Sequence, residues 1–321
     1  MDKPLVSIVT VNYNQAEVTC ALLASLRGIS YPCVQIIVVD NASPTDDPGS
    51  IPARFPEVLF IKAPENLGFA GGNNLGVRQA RGKYVLFLNN DTEVSPGFLE
   101  PLVELFETNP AVGIASAKLL YFDTPGPLIQ YAGSTNLNPW TGRNRSLGSF
   151  ETDRGQYDRT YPTGLAHGAA MMVPLHVIRQ VGLMSALYFL YFEELDWCEA
   201  IKRAGYACYY VGQSAVLHKE SVSVGRSSAL RTYYMHRNRL LFIRRNYCGL
   251  HRWSGLLFFL LAAAPKQALV HLLRREWQHL AAVGRGIAWH LRPRNVHQNE
   301  FLPAAAPVSA AASTHALVPS L

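Results

Sequence analysis

Two acidic knots in this chain carry residue types suited to phosphate and proton chemistry. The first, Asn89-Asn90-Asp91-Thr92-Glu93, follows the apolar run Tyr84-Val85-Leu86-Phe87-Leu88, which reads as a strand buried on both faces. Ligands of open α/β sheets sit beyond the carboxyl ends of the strands, so Asp91 is a candidate to meet a metal ion and phosphates there. The second knot, Glu193-Glu194-Leu195-Asp196, follows the aromatic run Tyr188-Phe189-Leu190-Tyr191-Phe192. An aromatic wall desolvates a carboxylate and raises its pKa, which suits a general base. Glu194 is the first candidate for that role and Glu193 the alternative; Asp196 would orient neighbours or bond a substrate hydroxyl. Each feature also has a plainer reading. Asn, Asp and Thr cap helices, acidic first turns answer the macrodipole, and a lone histidine ending an apolar strand, as His218 does, is commonly structural.

The surrounding elements follow a β-α-β rhythm, the mark of a parallel sheet in an α/β fold flanked by helices. Strands are expected at residues 5–11, 35–40, 58–61, 83–88, 112–121, 168–174, 207–211 and 215–218, and helices at 16–28, 95–107, 175–181 and from Glu193 to Arg203. Residues 65–76 are rich in glycine and open a helix through Arg81. Such glycines either bring backbone N–H groups close to a phosphate or allow close helix packing. Their spacing, Gly68, Gly71, Gly72 and Gly76, does not fit a dinucleotide fingerprint, so a nicotinamide dehydrogenase is not expected. Residues 123–163 have little periodicity and are expected to be a long functional or mobile loop on the acceptor side.

From Ser227 the pattern becomes helical, with a basic face of Arg237, Arg239, Arg244 and Arg245. Residues 253–264 are apolar but stop at Pro265, short of the ~20 residues a spanning helix needs. They and the amphipathic stretch 269–289 are expected to lie in a membrane interface, with packing on the chain's own domain or a second copy as the alternative. The resulting division is a catalytic domain at 1–225, a helical, basic, membrane-associating extension at 226–294, and a disordered tail at 295–321.

The chain has 321 residues, 49% of them hydrophobic, enough for a substantial core. Its net charge of +6 is uneven: residues 219–321 hold 14 Lys and Arg against three acidic residues, and residues 1–218 hold 15 against 20. A basic half fits an anionic membrane surface or nucleic acid; no zinc, helix-turn-helix or RNA-recognition signature accompanies it, so the membrane is preferred. The five cysteines form no Cys-x-x-Cys pair, which argues against a disulfide framework or zinc site and for a reducing compartment. The first apolar run is too short for a signal peptide, so a cytoplasmic location is expected.

With these pieces in order, the chain resembles the family 2 inverting glycosyltransferases of the GT-A fold, and among them the rhamnosyltransferase-like members that build bacterial surface polysaccharides. The resemblance runs from Val6 to Tyr247 and rests on Val6-Ser7-Ile8-Val9-Thr10-Val11-Asn12-Tyr13-Asn14, Val39-Asp40-Asn41-Ala42-Ser43, the stretch from Asn66 to Asn74, Asn89-Asn90-Asp91-Thr92, and Glu193-Glu194-Leu195-Asp196 with His218 downstream. It implies that Asp40 contacts the base or ribose of a nucleotide-diphosphate sugar. Thr10 and Asn12 would border that pocket, and Asn66, Gly68, Gly71, Asn74 and Asn90 would line the donor side. Asp91 would hold a divalent cation, Mg²⁺ or Mn²⁺, with His218 as a further contact, and Glu194 would deprotonate the acceptor hydroxyl.

Two departures stand out. Asn89-Asn90-Asp91 replaces the family's Asp-x-Asp, so the metal site carries less charge than usual, and the base is Glu where many relatives have Asp. His251-Arg252-Trp253 lacks the full Gln- or Arg-x-x-Arg-Trp signature of processive synthases, which favours single transfer. The expected donor is dTDP-rhamnose, with UDP-linked sugars as the alternative, and the expected acceptor is a lipid-linked glycan at the inner face of the cell membrane. Homo-oligomers remain open. A nucleotidyltransferase and a catalytically silent nucleotide-binding scaffold are the competing readings.

Overall fold

The computed structural model describes residues 3–219 and 228–302. In chain order it contains β1 (Val6–Asn12), α1 (Ala16–Leu26), β2 (Val34–Asp40), α2 (Ser50–Arg54), β3 (Leu59–Lys62), α3 (Gly68–Val77), β4 (Tyr84–Leu88), β5 (Thr92–Val94), α4 (Glu100–Thr108), β6 (Val112–Tyr121), β7 (Ile129–Tyr131), β8 (Thr160–Pro162), β9 (Ala170–Pro174), α5 (Leu175–Val181), α6 (Glu193–Arg203) and β10 (Ala207–His218). A helical region follows: α7 (Ala229–Asn246), α8 (Gly249–Phe258), α9 (Ala264–Leu273) and α10 (Trp277–Ala288). This is a mixed α/β fold with one sheet between helical layers.

The strands run in the order β3-β2-β1-β4-β9-β6-β10-β5. β3, β2, β1 and β4 are parallel, β9 is antiparallel to both of its neighbours, and β10 is parallel to β6. Alternation along each strand sorts side chains to two cores. Ile8, Leu86 and Leu88 meet α1 and α4 on one face, and Val9, Val85 and Phe87 meet α3, α5 and α6 on the other. All five residues of β4 are buried, as its apolar run requires.

After β4 the chain turns through Asn89, Asn90 and Asp91 into β5, which crosses to the far edge of the sheet and pairs antiparallel with β10, Thr92 opposite His218. That register brings two candidate residues 127 positions apart side by side.

Several expectations need correction. Residues 123–163 are not structureless: they include β7 and β8, and the buried Lys118 ammonium holds the segment down by pairing with Asp153 at 2.7 Å and with Asp158. The two short strands expected at 207–218 are one strand whose register against β6 slips between Val211 and Ala215. Ser95-Pro96-Gly97 precedes α4 rather than opening it. Arg237 and Arg245 do not form a solvent-facing basic stripe, since both side chains are buried.

Pro265 does not end the apolar helix. A π-helical turn, Phe259–Ala263, joins α8 to α9, and such a widened turn just before a proline relieves the clash and missing N–H it brings. The result, Gly249–Leu273, is a 25-residue helix long and apolar enough to cross a membrane by length and composition. α10 packs on its own domain: a Cβ added at Gly286 would lie 2.9 Å from the Tyr233 carbonyl oxygen of α7, so the two backbones touch. The expected domain boundary at 225 and residues 303–321 of the expected disordered tail lie outside the described residues. The described start of that tail is pinned: Leu183 donates to the Glu300 carbonyl (2.7 Å) and Val296 is buried.

Candidate active site

A cleft of about 510 Å³ opens beyond the carboxyl ends of β1 and β4, bounded by the β9 approach, the start of α6 and the start of α7. Asp91, His218, Glu193 and Glu194 all line it. The two acidic knots therefore share one hollow.

Asp91 is 6% exposed. Its Oδ1 lies 3.1 Å from His218 Nε2 yet has no hydrogen-bond partner among the described residues. On the other side of the ring, His218 Nδ1 is 2.7 Å from Gln130 Oε1. A carbonyl oxygen there requires a donating Nδ1–H, and in the neutral tautomer that does so the Nε2 lone pair faces the aspartate. A carboxylate oxygen and an imidazole nitrogen thus face each other, with the Asn89 Nδ2 amide 3.5 Å from the imidazole nitrogen, an arrangement that fits a divalent cation. Among the described residues no third His, Cys, Asp or Glu joins them, consistent with an amide at Asn89 where a second carboxylate would add charge.

Glu193 and Glu194 start α6, whose N-cap, Phe192, has φ 77°. Phe189 and Tyr191 also have positive φ, 62° and 68°. For bulky aromatics such backbone is strained by about 1–3 kcal/mol per residue and persists only where surroundings enforce it. Glu193 is 3% exposed and its Oε2 has no hydrogen-bond partner among the described residues. Burial pushes its pKa well above the ordinary carboxyl value, and the charge of Glu194 pushes it further. Glu194 is half-buried; desolvation raises its pKa too, while the backbone N–H groups of Glu194, Leu195 and Phe192 pull it back. Two neighbouring carboxyls in unequal settings separate into an acid and a base. Of the two, Glu193 is pushed up the more strongly and Glu194 the less.

Asp196 belongs elsewhere. It is 4% exposed and accepts hydrogen bonds from Arg245 Nη2 (3.1 Å), Asn246 Nδ2 (2.6 Å) and the Tyr188 hydroxyl (3.1 Å). It locks α6 to α7 and does not line the cleft.

Of the residues expected on the donor side, Asn66, Gly68 and Asn90 line the cleft, whereas Thr10, Asn12, Asp40, Gly71 and Asn74 do not. Asp40 accepts from Ser43 Oγ (2.6 Å) and Asn12 Nδ2 (2.9 Å). The Thr19 hydroxyl donates to Asn12 Oδ1 (2.8 Å) and receives Asn90 Nδ2 (3.1 Å). Asp40 and Asn12 thus reach the cleft wall through this buried relay. Asn74 Nδ2 is spent on the Met184 carbonyl (2.7 Å). The glycines allow close packing. A Cβ at Gly68, where φ is +70°, would lie 2.2 Å from the Phe189 carbonyl oxygen, and one at Gly76 would lie 2.4 Å from Val9 Cγ1.

The structure adds residues that sequence reasoning missed. Asn41 bridges Asn66 Oδ1 (3.0 Å) and the Gly68 carbonyl (3.1 Å), and Gln130 orients His218. His167 lines the cleft; its Nδ1 accepts from the Ala169 N–H at 3.1 Å, and burial lowers its pKa to about 3, so it stays neutral with a proton on Nε2. Asn41 sat inside a motif already singled out, but nothing in the irregular segment around Gln130 or before Gly168 marked the other two.

The architecture has counterparts among known proteins, and the sequence decides the family. Residues 7–173 match the model of Glycosyl transferase family 2. The chain belongs to that family. This family 2 glycosyltransferase is 26% identical over 243 residues to the low-salt glycan biosynthesis hexosyltransferase Agl10 of Haloferax volcanii, covering 73% of this chain and 74% of the relative. It is 24% identical over 263 residues to the N-acetylglucosaminyl-diphospho-decaprenol L-rhamnosyltransferase of Mycobacterium tuberculosis, covering 75% and 85%. Its fold matches the mannosyltransferase PcManGT from Pyrobaculum calidifontis, solved with GDP-Man and Mn²⁺, at a TM-score of 0.56 and 16% identity over 92% of this chain and 89% of the other. It also matches GalNAc-T7, solved with UDP, GalNAc and Mn²⁺, at 0.59 and 14% over 76% and 48%. The glycosyltransferase therefore has the GT-A fold, as expected.

Proposed function

We propose that this glycosyltransferase moves a sugar, in first instance rhamnose, from a dTDP- or UDP-linked donor to a lipid-linked glycan acceptor in cell-surface glycan synthesis, with inversion. The observation that carries this reading is the convergence of Asp91, His218 and Glu194 on one cleft. Asp91 Oδ1 and His218 Nε2 would hold a divalent cation, and a mixed oxygen and imidazole set suits Mn²⁺ better than Mg²⁺. When bound, the cation neutralises the charge that builds on the departing diphosphate. Glu194 takes the proton from the incoming hydroxyl, while Glu193, held neutral by burial, keeps a second negative charge away from the base. Gln130 fixes the imidazole tautomer. His167, with Nε2–H facing the cleft, offers a neutral donor for a substrate oxygen.

Peripheral association with the inner face of the cell membrane is part of the proposal. Leu261, Leu273 and Trp253 are 74%, 75% and 65% exposed on the long helix. Its middle, Phe259 and Ala263, packs on Leu240 and Ile243 of α7, and α10 returns to α7 as well. A span across the bilayer would put α10 on the opposite side from its partner, so the helix lies along the surface, apolar side toward lipid.

The test is transfer from dTDP-rhamnose and UDP-sugars to a lipid-linked acceptor, with Asp91→Asn and Glu194→Gln beside the native chain. Both variants are expected to lose turnover by at least about 100-fold; full rate in either removes its assigned role. Family membership favours transfer over the nucleotidyltransferase reading, which would need pyrophosphate release from a nucleoside triphosphate. Nucleotide binding without turnover across donors would instead support a silent scaffold.

A further inference from the structure

The three strained aromatic positions before α6 need something to hold them, and the structure shows what does. Asn238 of α7 is fully buried, and its Nδ2 lies 3.0 Å from the Tyr188 carbonyl, 2.7 Å from that of Leu190 and 2.8 Å from that of Tyr191. The neighbouring Arg237, 6% exposed, donates from Nη2 to the Leu187 and Tyr188 carbonyls, each at 2.6 Å. Arg237 Nε donates to Asn238 Oδ1 at 2.7 Å, which fixes which way the amide points: oxygen to the guanidinium, N–H groups to the loop. Phe189, the remaining residue of the turn, gives its carbonyl to the Phe69 N–H at 2.6 Å. Every carbonyl from 187 to 191 is thereby engaged.

Arg237 makes no ion pair among the described residues; instead its guanidinium lies over the Tyr234 ring at 4.7 Å and the Trp289 ring at 5.0 Å. A buried cation without an ion pair is costly to keep for packing alone, and the charge of Arg237 acts on Glu193, drawing its raised pKa back down. The loop it holds ends in the two glutamates of the cleft.

We propose that Arg237 and Asn238 are positioning residues for catalysis: their hydrogen bonds to the carbonyls of residues 187, 188, 190 and 191 hold the left-handed turn that aims Glu193 and Glu194 at the substrate. The inference rests on the reading of Glu194 as the base. Without the clamp, Phe189, Tyr191 and Phe192 relax toward ordinary backbone and the start of α6 swings, displacing the base from the acceptor oxygen while leaving the Asp91 and His218 end of the cleft in place. Displacements of about 1 Å at a reacting centre cost on the order of 100-fold in rate.

The experiment compares Asn238→Ala, Asn238→Asp and Arg237→Lys with the native chain, and with Arg244→Ala as a control on the same helix, all below their melting temperatures. Three readouts are taken: dTDP binding with Mn²⁺ by calorimetry, hydrolysis of dTDP-rhamnose across pH, and amide hydrogen exchange of residues 187–195. Both Asn238 variants should bind dTDP within about twofold of native, lose about 100-fold in kcat, and expose the 187–195 amides. Their pH–rate profiles should move the acid limb to lower pH, because a loosened turn rehydrates the base and removes the desolvation that raises its pKa. Arg237→Lys, which keeps a donor, should recover part of the rate, and Arg244→Ala should match native. The proposal is overturned if kcat stays within threefold of native, or if the rate falls with the acid limb unmoved, which is the result of a purely structural role. Should the native chain neither hydrolyse nor transfer the sugar of any dTDP- or UDP-linked donor, the functional reading fails, and exchange at residues 187–195 still decides whether the clamp holds the turn.

Discussion

Replacing Asp196 by alanine separates a structural carboxylate from a chemical one. Arg245 and Asp196 are paired with side chains only 8% and 6% exposed. Removing the carboxylate leaves a buried guanidinium whose remaining oxygen partners are the Val296 carbonyl and Asn299 Oδ1. It also strands the Tyr188 hydroxyl and the Asn246 amide on the carboxylate's side. Breaking a buried ion pair by removing one partner costs about 3–5 kcal/mol. The surviving contacts to Arg245 place this case near the lower end, about 3–4 kcal/mol. At roughly 2–4 °C per kcal/mol for a domain of this size class, Tm should fall by about 6–16 °C. The assay is thermal melting beside dTDP-rhamnose turnover at 20 °C, with the paired change Asp196→Leu and Arg245→Met as a companion. Apolar replacement of both partners removes the stranded charge, so the double variant should regain at least half of the lost Tm. The reasoning is refuted if Asp196→Ala melts within about 2 °C of native but loses turnover by about 100-fold, since the residue would then act in the chemistry.

Glu193→Gln should raise Tm at pH 7.5 relative to native. Burial lifts the folded-state pKa of Glu193 above its ordinary 4.5, so its contribution to stability is present below that value and is lost as pH rises toward the folded one. A neutral amide escapes that loss, and melts at pH 7.5 and pH 4.5 should show the advantage shrinking in acid. Gly68→Ala places a Cβ 2.2 Å from the Phe189 oxygen at φ +70°; left-handed strain and overpacking together predict a loss of about 2–5 kcal/mol, measurable by urea unfolding. Changing Trp253, Leu257 and Leu261 together to serine should abolish co-sedimentation with anionic liposomes while leaving dTDP binding intact. Retained sedimentation would rule out this helix as the lipid contact.

Much of the sheet was legible because burial on both faces leaves unbroken apolar runs. β6 and α5 fall where their patterns place them, at Val112–Tyr121 and Leu175–Val181. What escaped was set by distant contacts. The pairing of Thr92 with His218 depends on strand order, which no local pattern encodes. The arginines of α7 carry the same letters whether they face water or a ring of carbonyls, and only packing shows that Arg237 and Arg245 are interior. Pro265 reads as a helix end until the widened turn before it is seen. Asp196 shares its first turn with two cleft carboxylates, and the 3.6-residue period carries it round to face α7 instead.

The handedness of the turn before α6 bears on any effort to retune this enzyme for another sugar. Phe189 and Tyr191 both face the cleft, which makes them natural targets for randomisation. At φ of 62° and 68°, however, β-branched side chains would be rejected by the backbone before any substrate was tested, while glycine would be accepted. A saturation library there samples chain geometry first and specificity second, so inactive clones dominated by valine, isoleucine and threonine would report on the main chain rather than on the sugar.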